Sequence, residues 1–423
     1  MTYNDSVSFV HSLLKFGIRP GLSRMNTLMS YLDNPEAGMP FVHIAGTNGK
    51  GSTATALACI LSDAGYKTGL YTSPYVVHFL ERIQINSKPI SENLFVKAIT
   101  EIVPFLEKMR ENGDEITEFE IITAAAFLCF KRENCDIVVL ETGLGGRLDA
   151  TNVIRESLIE IITSLSLEHT DILGDTIEKI AYEKSGIIKE GTTVICAYGQ
   201  QEAAVSVIKK TAEQRNCKLI IPDSRGIQII KSDIFGTDFV FENSKFTINM
   251  AGEHQVKNMT CAIKAAQILN KKGFIISEKN IQNGISKAFL PARIEVLSRS
   301  PLVILDGGHN PDGIGVLVKL LKDSVRFDKL TVIIGMMSDK AVDECLKKLG
   351  DIADRFICIT PENPRALKAC RLAEFAAKHC FDVTCKEKIS DAYPEAISTL
   401  KQNDVLLITG SLYLAGEVKQ ILS

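Results

Sequence analysis

The clearest structural signal in this chain is the stretch "FVHIAGTNGKGSTATALACIL" (Phe41–Leu61), which runs from a short apolar strand through a glycine-rich loop into a helix. A strand, a glycine loop and the start of a helix bring several backbone N–H groups around one point, where they bind an anion such as phosphate. Gly46, Gly49 and Gly51 would let the backbone approach that anion closely. The stretch therefore predicts a phosphate-binding loop and the first strand–helix unit of an α/β fold.

This loop departs from the common phosphate-binding pattern G-x-x-x-x-G-K-[ST] at two positions. Ile44 stands in place of the leading glycine, and Gly51 follows Lys50 where the pattern has Ser or Thr. Lys50 can still supply a positive charge, and Ser52 or Thr53 can offer a hydroxyl to Mg²⁺. A tight glycine turn before a helix is the alternative interpretation, but a lysine and hydroxyls among three glycines favour phosphate binding.

The composition is that of an ordinary globular protein with 45% hydrophobic and 23% charged residues over 423 positions. This length suggests two or three domains of about 150 residues. A net charge of −3 gives no basic field that would recruit nucleic acid or a membrane surface. The 11 cysteines form no C-x-x-C pair, which indicates reduced thiols in the core and no zinc site. With no secretion signal and no apolar run of about 18 residues, we expect a cytoplasmic protein.

Apolar strands and amphipathic helices alternate along most of the chain. The strand–helix–strand unit at 41–73 implies a parallel sheet with right-handed crossovers. Residues 226–250 instead alternate apolar and polar side chains around turn residues, which predicts an antiparallel hairpin. Pro291 interrupts the pattern, and a second strand–helix series begins at 302–306.

We therefore expect an α/β protein of two domains. Residues 1–292 would form a P-loop-type central-sheet domain with a small antiparallel β subregion. Residues 293–423 would form a smaller, Rossmann-like α/β domain.

Other candidate residues follow predicted strands, at the sheet edge where α/β proteins bind ligands. Glu141 ends the strand "IVVLE", and His169 follows the next buried strand. Lys184 lies on the amphipathic helix after it, and Asp306 and His309 follow the first strand of the second domain. Each has an ordinary alternative: a solvated strand-end carboxylate, a structural histidine, a surface lysine, or a turn rich in turn-forming residues.

Nine motifs, in this order over nearly the whole chain, resemble the folylpolyglutamate synthase/dihydrofolate synthase family, a branch of the Mur ligase superfamily. They read "GTNGKGS", "YTSPYVVHFLERI", "TEFEIITAAAF", "LETGLGGRLDATN", "EHTDILGDTIEKIAYEKSGIIK", "HQVKNMTCAI", "ARIEV", "LDGGHNPDG" and "TGSLYLAGEV". The resemblance implies an ATP-dependent, ADP-forming ligase that adds L-glutamate to a reduced folate through an acyl phosphate. It leaves open whether dihydropteroate is also converted to dihydrofolate.

The resemblance also implies site residues by their place in these motifs. The implied ATP contacts are Asn48, Gly49, Lys50, Gly51, Asn258, Arg293, Asp306 and His309. The implied Mg²⁺ ligands are Ser52, Ser73, Glu141, His169 and Lys184, the last as a carbamylated lysine. The implied folate or pterin contacts are Thr117, Glu118, Phe119, Glu120, Leu148, Asp149 and Ala150. Lys50, His169 and Lys184 would be the catalytic residues.

The chain departs from the family at two positions, where Glu168 replaces the usual Asp before the metal histidine and Tyr75 replaces the usual His. A Mur-type ligase acting on another carboxylate is the nearest alternative, although only 45 residues precede Gly46, too few for a UDP-binding domain. A non-catalytic nucleotide-binding module is the other, but such a module needs no second metal site. We expect a monomer whose partners are small molecules: ATP, L-glutamate, and folate or dihydropteroate.

Overall fold

The structure, a computed structural model, describes residues 1–422 and separates them into two compact units. The first unit comprises residues 1–75, 79–227 and 257–288, and the second comprises 76–78, 228–256 and the chain from 289 onward. Residues 228–256 thus belong to the second unit, whereas the sequence-based division assigned them to residues 1–292. A domain boundary after residue 292 stays a prediction.

An eight-stranded sheet forms the centre of the first unit. Its strands are β1 (Phe41–Ala45), β2 (Thr68–Tyr71), β3 (Ile83–Ile85), β4 (Lys88–Pro89), β5 (Ile137–Glu141), β6 (Ile159–Ile162), β7 (Thr193–Cys196) and β8 (Lys218–Ile220). They are arranged in the order β4-β3-β2-β5-β1-β6-β7-β8. From β2 to β8 the neighbours are parallel, while β3 and β4 are antiparallel additions at one edge. The central strands are fully buried, which explains why they read as continuous apolar runs.

Ten helices pack around this sheet or extend from it. They are α1 (Tyr3–Ser12), α2 (Ser23–Tyr31), α3 (Lys50–Asp63), α4 (Glu92–Glu111), α5 (Glu118–Arg132), α6 (Thr170–Leu173), α7 (Ile177–Ser185), α8 (Glu202–Gln214), α9 (Glu253–Lys271) and α10 (Glu278–Lys287). One core cluster joins α1, α2, α4 and α5 to the sheet, and another lies under α7 and α8. The capping box of Thr117 and Glu120 explains why α5 begins at Glu118.

The second unit contains two sheets. The first is antiparallel, with strands β9 (Ile227–Asp233), β10 (Gly236–Phe241) and β11 (Ser244–Ile248) in the order β11-β10-β9. The hairpin predicted for 226–250 is therefore confirmed and carries a third strand. Because side chains alternate between the faces of a strand, only every second residue of β10 is buried, which is the pattern that made this region readable from sequence.

The larger sheet of the second unit has six strands. They are β12 (Glu295–Arg299), β13 (Leu302–Leu305), β14 (Leu330–Ile334), β15 (Arg355–Cys358), β16 (Asp382–Cys385) and β17 (Val405–Thr409), in the order β12-β13-β17-β14-β15-β16. Only β12 is antiparallel to its neighbour. The helices of this unit are α11 (Pro311–Ser324), α12 (Val342–Gly350), α13 (Ala369–Ala376), α14 (Ile389–Thr399) and α15 (Leu412–Leu422). The α/β fold class is confirmed. Within residues 1–422, no helix combines the length and the apolar character needed to cross a membrane.

Candidate functional site

The carboxyl ends of four neighbouring strands meet at one edge of the eight-stranded sheet. In the register, Ile44 of β1 lies beside Glu141 of β5, and Ala45 lies beside Ile162 of β6. Tyr71 of β2 lies beside Leu140 of β5 in the same way. The glycine loop, the segment after β2, Glu141 and the segment after β6 therefore lie along a single edge, where parallel sheets bind ligands.

Close packing requires glycine at two positions of the loop. A Cβ atom on Gly46 would lie 1.8 Å from Oγ1 of Thr163, and one on Gly49 would lie 2.1 Å from Oδ1 of Asn258. Gly49 also has a left-handed backbone with φ of 91° and caps the start of α3. Asn258 thus lies directly behind the loop, where the resemblance assigned it to the nucleotide site.

The segment after β6 fixes the outer part of the loop. The backbone N–H groups of Thr47 and Asn48 donate to the carbonyl of Ser164 at 2.8 and 3.1 Å. The hydroxyl of Thr47 also donates to the carbonyl of Ser166 at 3.1 Å. The N–H of Asn48 is therefore already engaged, so a phosphate would be met by the N–H groups that open α3, beginning at Gly49 and Lys50.

Two lysines converge on one carbonyl of this loop. Nζ of Lys184 donates to the carbonyl oxygen of Gly46 at 2.7 Å, and Nζ of Lys50 donates to the same oxygen at 3.1 Å. Lys184 is only 4% exposed, although it was expected to resemble a surface lysine when taken alone. Burial, reinforced by the charge of Lys50, lowers the pKa of the Lys184 amine to about 7.

A carboxylate and a histidine stand at the same edge. Glu141 is 3% exposed, and its Oε2 accepts the backbone N–H of Ser73 at 3.2 Å. His169 has a left-handed backbone with φ of 52° immediately before α6, and its Nε2 lies 3.9 Å from Oε1 of Glu168. A left-handed backbone is uncommon for a residue other than glycine, and such conformations cluster at functional sites.

The donors at this edge suit a hard cation. Carboxylate and hydroxyl oxygens are the ligands that Mg²⁺ prefers, and Glu141 and Ser52 are both buried here. Across residues 1–422, no cluster of three or more His, Cys, Asp or Glu side chains is arranged to hold a metal. Of the predicted ligands, only Glu141 and His169 belong to these residue types. The other predicted ligands are two serines and Lys184.

The two predicted pterin segments are brought together by the fold. A Cβ atom on Gly143, in the loop after β5, would lie 2.5 Å from Cζ of Phe119, so the ring of Phe119 lies directly on that loop. The carboxylate of Glu120 accepts the backbone N–H of Thr117 in the capping box of α5. It also forms an ion pair with Arg24, in which Nη2 of Arg24 lies 2.9 Å from Oε1 of Glu120. The backbone N–H of Gly21 donates to the carbonyl of Leu148 at 3.3 Å.

Asp149 holds the loop after β5 in shape. Its carboxylate accepts the N–H groups of Leu144 and Thr151 at 2.8 and 3.0 Å and the hydroxyl of Thr151 at 2.6 Å. Burial raises the pKa of this carboxyl despite these hydrogen bonds. Because Thr151 gives its proton to Asp149, its oxygen must accept from Nε2 of His43, 2.8 Å away. The side chain of Asp149 thus links Leu144 to Thr151, and Leu148 and Ala150 lie between these two residues in the chain.

Two arginines near these segments, one partly buried and one buried, were not identified from the sequence. Arg24 pairs with Glu120, as described above. Arg82 is 8% exposed, lies 3.7 Å from Glu118 and stacks its guanidinium over the ring of Tyr75 at 5.3 Å. The sequence signal for Arg82 was a basic residue next to apolar residues in the motif "HFLERI". A charge that is buried without a partner is costly, so such a residue is expected to have one.

The candidate residues of the second unit form a separate arrangement after β13. Asp306 accepts the N–H of Ile294 at 3.0 Å and the N–H of Gly308 at 2.8 Å. Burial raises the pKa of Asp306, although the charge of Arg293 opposes this effect. Nδ1 of His309 lies 3.2 Å from the carbonyl oxygen of Gly307, which accepts a hydrogen bond when Nδ1 carries the proton.

The backbone on both sides of Arg293 is left-handed. Ala292 has φ of 55° and Ile294 has φ of 52°, a conformation that is unfavourable for an alanine and more so for a β-branched residue. The N–H of Ile294 donates to the carboxylate of Asp306, and this hydrogen bond stabilises the left-handed conformation.

His254 lies near Arg293. Burial and the charge of Arg293 together lower the pKa of His254 to about 4.

Comparison with known proteins shows two matching protein families. The family described as "Mur ligase middle domain" matches residues 44–266, and "Mur ligase, glutamate ligase domain" matches residues 292–412. Among curated relatives, the dihydrofolate synthase/folylpolyglutamate synthase of Bacillus subtilis is 37% identical, covering 99% of this chain and 98% of the relative. The folylpolyglutamate synthase of Lacticaseibacillus casei is 34% identical, covering 100% and 99%.

Solved structures of known proteins have a similar fold over the whole length of this chain. Folylpolyglutamate synthase of Mycobacterium tuberculosis, complexed with ADP and AMPPCP, has a TM-score of 0.89 at 29% identity and covers 100% of this chain and 99% of that one. Escherichia coli FolC in complex with DHPP and ADP has a TM-score of 0.86 at 31% identity, with coverage of 100% and 98%.

Proposed function

Because the chain belongs to the folylpolyglutamate synthase/dihydrofolate synthase family and is an ATP-dependent ligase that joins L-glutamate to a folate, we propose how its own residues perform that ligation. The observation that carries the proposal is the convergence of Lys50 and Lys184 on the carbonyl of Gly46 beside buried Glu141. A carboxylate is a poor electrophile, so it must first be phosphorylated. The glutamate amine then displaces phosphate from the acyl phosphate.

We assign the triphosphate of ATP to the glycine loop. The N–H groups at the start of α3 and the ammonium of Lys50 would neutralise the charge that spreads over the transferring phosphoryl group. Lys50 already reaches across the loop to the carbonyl oxygens of Gly46 and Thr47, at 3.1 and 3.3 Å. Binding of phosphate would exchange these contacts for stronger, charge-assisted ones. Arg293, Asp306 and His309 keep their assignment as nucleotide contacts from the family resemblance.

Mg²⁺ is implied by ATP-dependent ligation, and the residues present fit it. Ser52, Ser73, Glu141 and His169 would hold the ion or ions, together with a carboxylate carried by Lys184. Bound there, Mg²⁺ supplies charge neutralisation for the transferred phosphoryl group. The protein's contribution is to fix these ligands, since Glu141 is held by the N–H of Ser73 and Lys184 by the carbonyl of Gly46.

The state of the Lys184 amine supports our proposal that this lysine is carbamylated. An ordinary lysine, with a pKa of about 10.4, is protonated near neutral pH and cannot attack CO₂. Burial brings the pKa of Lys184 to about 7, so a large share of the amine is neutral in that range. The ammonium first releases one proton to solvent. The neutral nitrogen then forms a bond to the carbon of CO₂ and releases a second proton, so that the buried side chain becomes a carboxylate next to the cation Lys50.

The folate would lie against the N-terminus of α5 and the loop after β5. Phe119 supplies an aromatic surface in contact with Gly143, and Asp149 links Leu144 to Thr151 in the loop that carries Leu148 and Ala150. Relatives carry both the dihydrofolate synthase and the folylpolyglutamate synthase names, and we propose that this chain also uses dihydropteroate. A cytoplasmic monomer remains our expectation.

A comparison of glutamate acceptors tests this function. We expect ADP release that depends on L-glutamate with tetrahydrofolate as acceptor, and comparable turnover with dihydropteroate. Product masses one glutamate above each acceptor would confirm ligation. Turnover with tetrahydrofolate alone would remove the second activity, and ADP release only with a UDP-sugar substrate would contradict folate ligation altogether.

Substitution of Gly49 tests the nucleotide loop. In Gly49→Ala the new Cβ would lie 2.1 Å from Oδ1 of Asn258, so the loop must shift, and we expect ATP affinity to fall at least about 10-fold. Gly65→Ala is a matched control, because Gly65 has nearly the same φ of 92° but no atom within 4 Å of its added Cβ. Equal affinities in both variants, measured by calorimetric titration of ATP, would argue against phosphate binding at this loop.

A further inference from the structure

Two thiols of the second unit lie in contact at the edge of its larger sheet. Cys370 lies in the first turn of α13, and Cys385 is the last residue of the edge strand β16. Their Sγ atoms are 3.2 Å apart, although 15 positions separate them in the chain. This distance is shorter than the usual van der Waals separation of two sulfur atoms, so nothing lies between the two side chains.

These two thiols differ from all other cysteines of residues 1–422, because only Cys370 and Cys385 are exposed. The sequence had suggested core positions for the cysteines, and that interpretation is wrong for this pair. Most of the others are buried; burial raises the pKa of the Cys345 and Cys358 thiols, for example, to about 12. Such buried thiols are inert toward oxidants in solution. The accessible thiols of the chain are therefore the ones already in mutual contact.

We propose that Cys370 and Cys385 are a reversible dithiol–disulfide site that exchanges with small-molecule disulfides such as oxidised glutathione. In the first step a thiolate of the pair attacks one sulfur of the small disulfide, forms a mixed disulfide and releases one small thiol. The second protein thiolate then attacks the protein sulfur of that mixed disulfide and releases the second small thiol. The two protein thiols lose two electrons and two protons, and the small disulfide gains them.

The local architecture allows this bond with little movement. Protein disulfides have an S–S distance of about 2.0 Å, so the sulfur atoms need to approach by roughly 1.2 Å, which side-chain torsions can supply. Strand β16 is paired only with β15, where Cys385 lies beside Cys358, and its other edge is open to adjustment. Helix α13 is anchored through buried Leu372 and Ala376, so its first turn keeps Cys370 in position.

Oxidation would connect α13 to the end of β16 by a covalent bond. The bond would close a short loop that contains most of α13 and the whole of β16, and closing such a loop restricts the unfolded chain. We therefore expect the oxidised protein to have a higher melting temperature than the reduced protein. The buried cysteines would not take part, because small disulfides cannot reach them.

The proposal is tested on the full-length protein equilibrated with mixtures of reduced and oxidised glutathione. After acid quenching, free thiols are alkylated and the cysteine peptides are mapped by mass spectrometry. We expect Cys370 and Cys385 to become protected together and to appear in one linked peptide that has lost two hydrogens. Separate glutathione adducts on the two cysteines, or full alkylation of both under oxidising conditions, would overturn the proposal.

Single variants separate this bond from general oxidation. Cys370→Ser and Cys385→Ser should each abolish the linked peptide and the rise in melting temperature on oxidation. Cys380→Ser is the matched control, because Cys380 is a partly buried neighbour whose thiol donates to the carbonyl of Asp354 at 3.3 Å. It should retain both effects. Loss of the linked peptide in Cys380→Ser, or its persistence in Cys370→Ser, would assign the disulfide to another pair.

Discussion

Lys184→Ala is expected to lower kcat for ligation by about 10³-fold while ATP still binds, because the variant removes the carbamate that we propose as a Mg²⁺ ligand but leaves the glycine loop intact. The Gly46 carbonyl that Lys184 contacts keeps its hydrogen bond from Lys50, so the loop should hold its shape. Steady-state ADP release and ATP titration measure the two effects separately. Wild-type kcat in this variant would remove the carbamate from the mechanism.

The matched control for this experiment is Lys179→Ala on the same helix. Lys179 is 61% exposed in its side chain and pairs only with Asp175 at 2.7 Å, so its loss should leave kcat unchanged. A second readout does not depend on activity. Protein incubated with ¹³C-bicarbonate should show one carbamate carbon signal in the NMR spectrum, which Lys184→Ala loses and Lys179→Ala keeps.

The lowered pKa of Lys184 also predicts a pH dependence. Above a pH of about 7 the amine is mainly neutral and can carry CO₂, while below it the amine is protonated and cannot. At a fixed concentration of dissolved CO₂, kcat should therefore fall as pH drops through this value and recover when more CO₂ is supplied. If kcat at low pH did not change when more CO₂ was supplied, the assignment of Lys184 as a carbamate would be contradicted.

The second large effect is expected for Glu141→Gln. Glutamine keeps the shape of the side chain and can still accept the N–H of Ser73, but it removes the negative charge. We expect kcat to fall about 10²-fold and the Mg²⁺ concentration for half-maximal rate to rise, because the variant removes the charge of the anionic ligand that we propose. Glu133→Gln is the control, since Glu133 forms an exposed ion pair with Lys67 at 2.8 Å. Equal Mg²⁺ dependence in both variants would exclude Glu141 as a ligand.

Much of the fold could be predicted because its central strands are buried on both faces. The run "IVVLE" of β5 has no other explanation than a buried strand, and Glu141 at its end was therefore placed correctly at the sheet edge. The short strands at the sheet edges do not show a continuous apolar run of this kind. β12 and β16 are only partly buried and contain polar residues, so nothing in their pattern distinguishes them from loops. Helix α4 contains Pro104, which obscures the helical pattern.

The candidate site residues could be proposed from the sequence, but their environment could not. The sequence could not show that Lys184 is buried against Gly46, because the two are 138 positions apart and meet only through the packing of α7 against the loop. The same is true of Asn258 behind Gly49 and of Arg82 beside Glu118. A pKa of about 7 for Lys184 follows from that burial, so the chemistry that it suggests needed the tertiary structure.

The left-handed residues on either side of Arg293 have a consequence for engineering. Glycine tolerates this backbone without steric cost, so Ala292→Gly should relieve a strain of about 1 kcal/mol. Heat resistance would rise only where this relief exceeds the cost of losing a fully buried methyl group and of giving the unfolded chain more freedom. The same change would loosen the segment that presents Arg293, and a gain in thermostability accompanied by slower turnover would reveal a trade-off at this position. Laboratory evolution under heat would then be expected to accept glycine here only when selection for activity is relaxed.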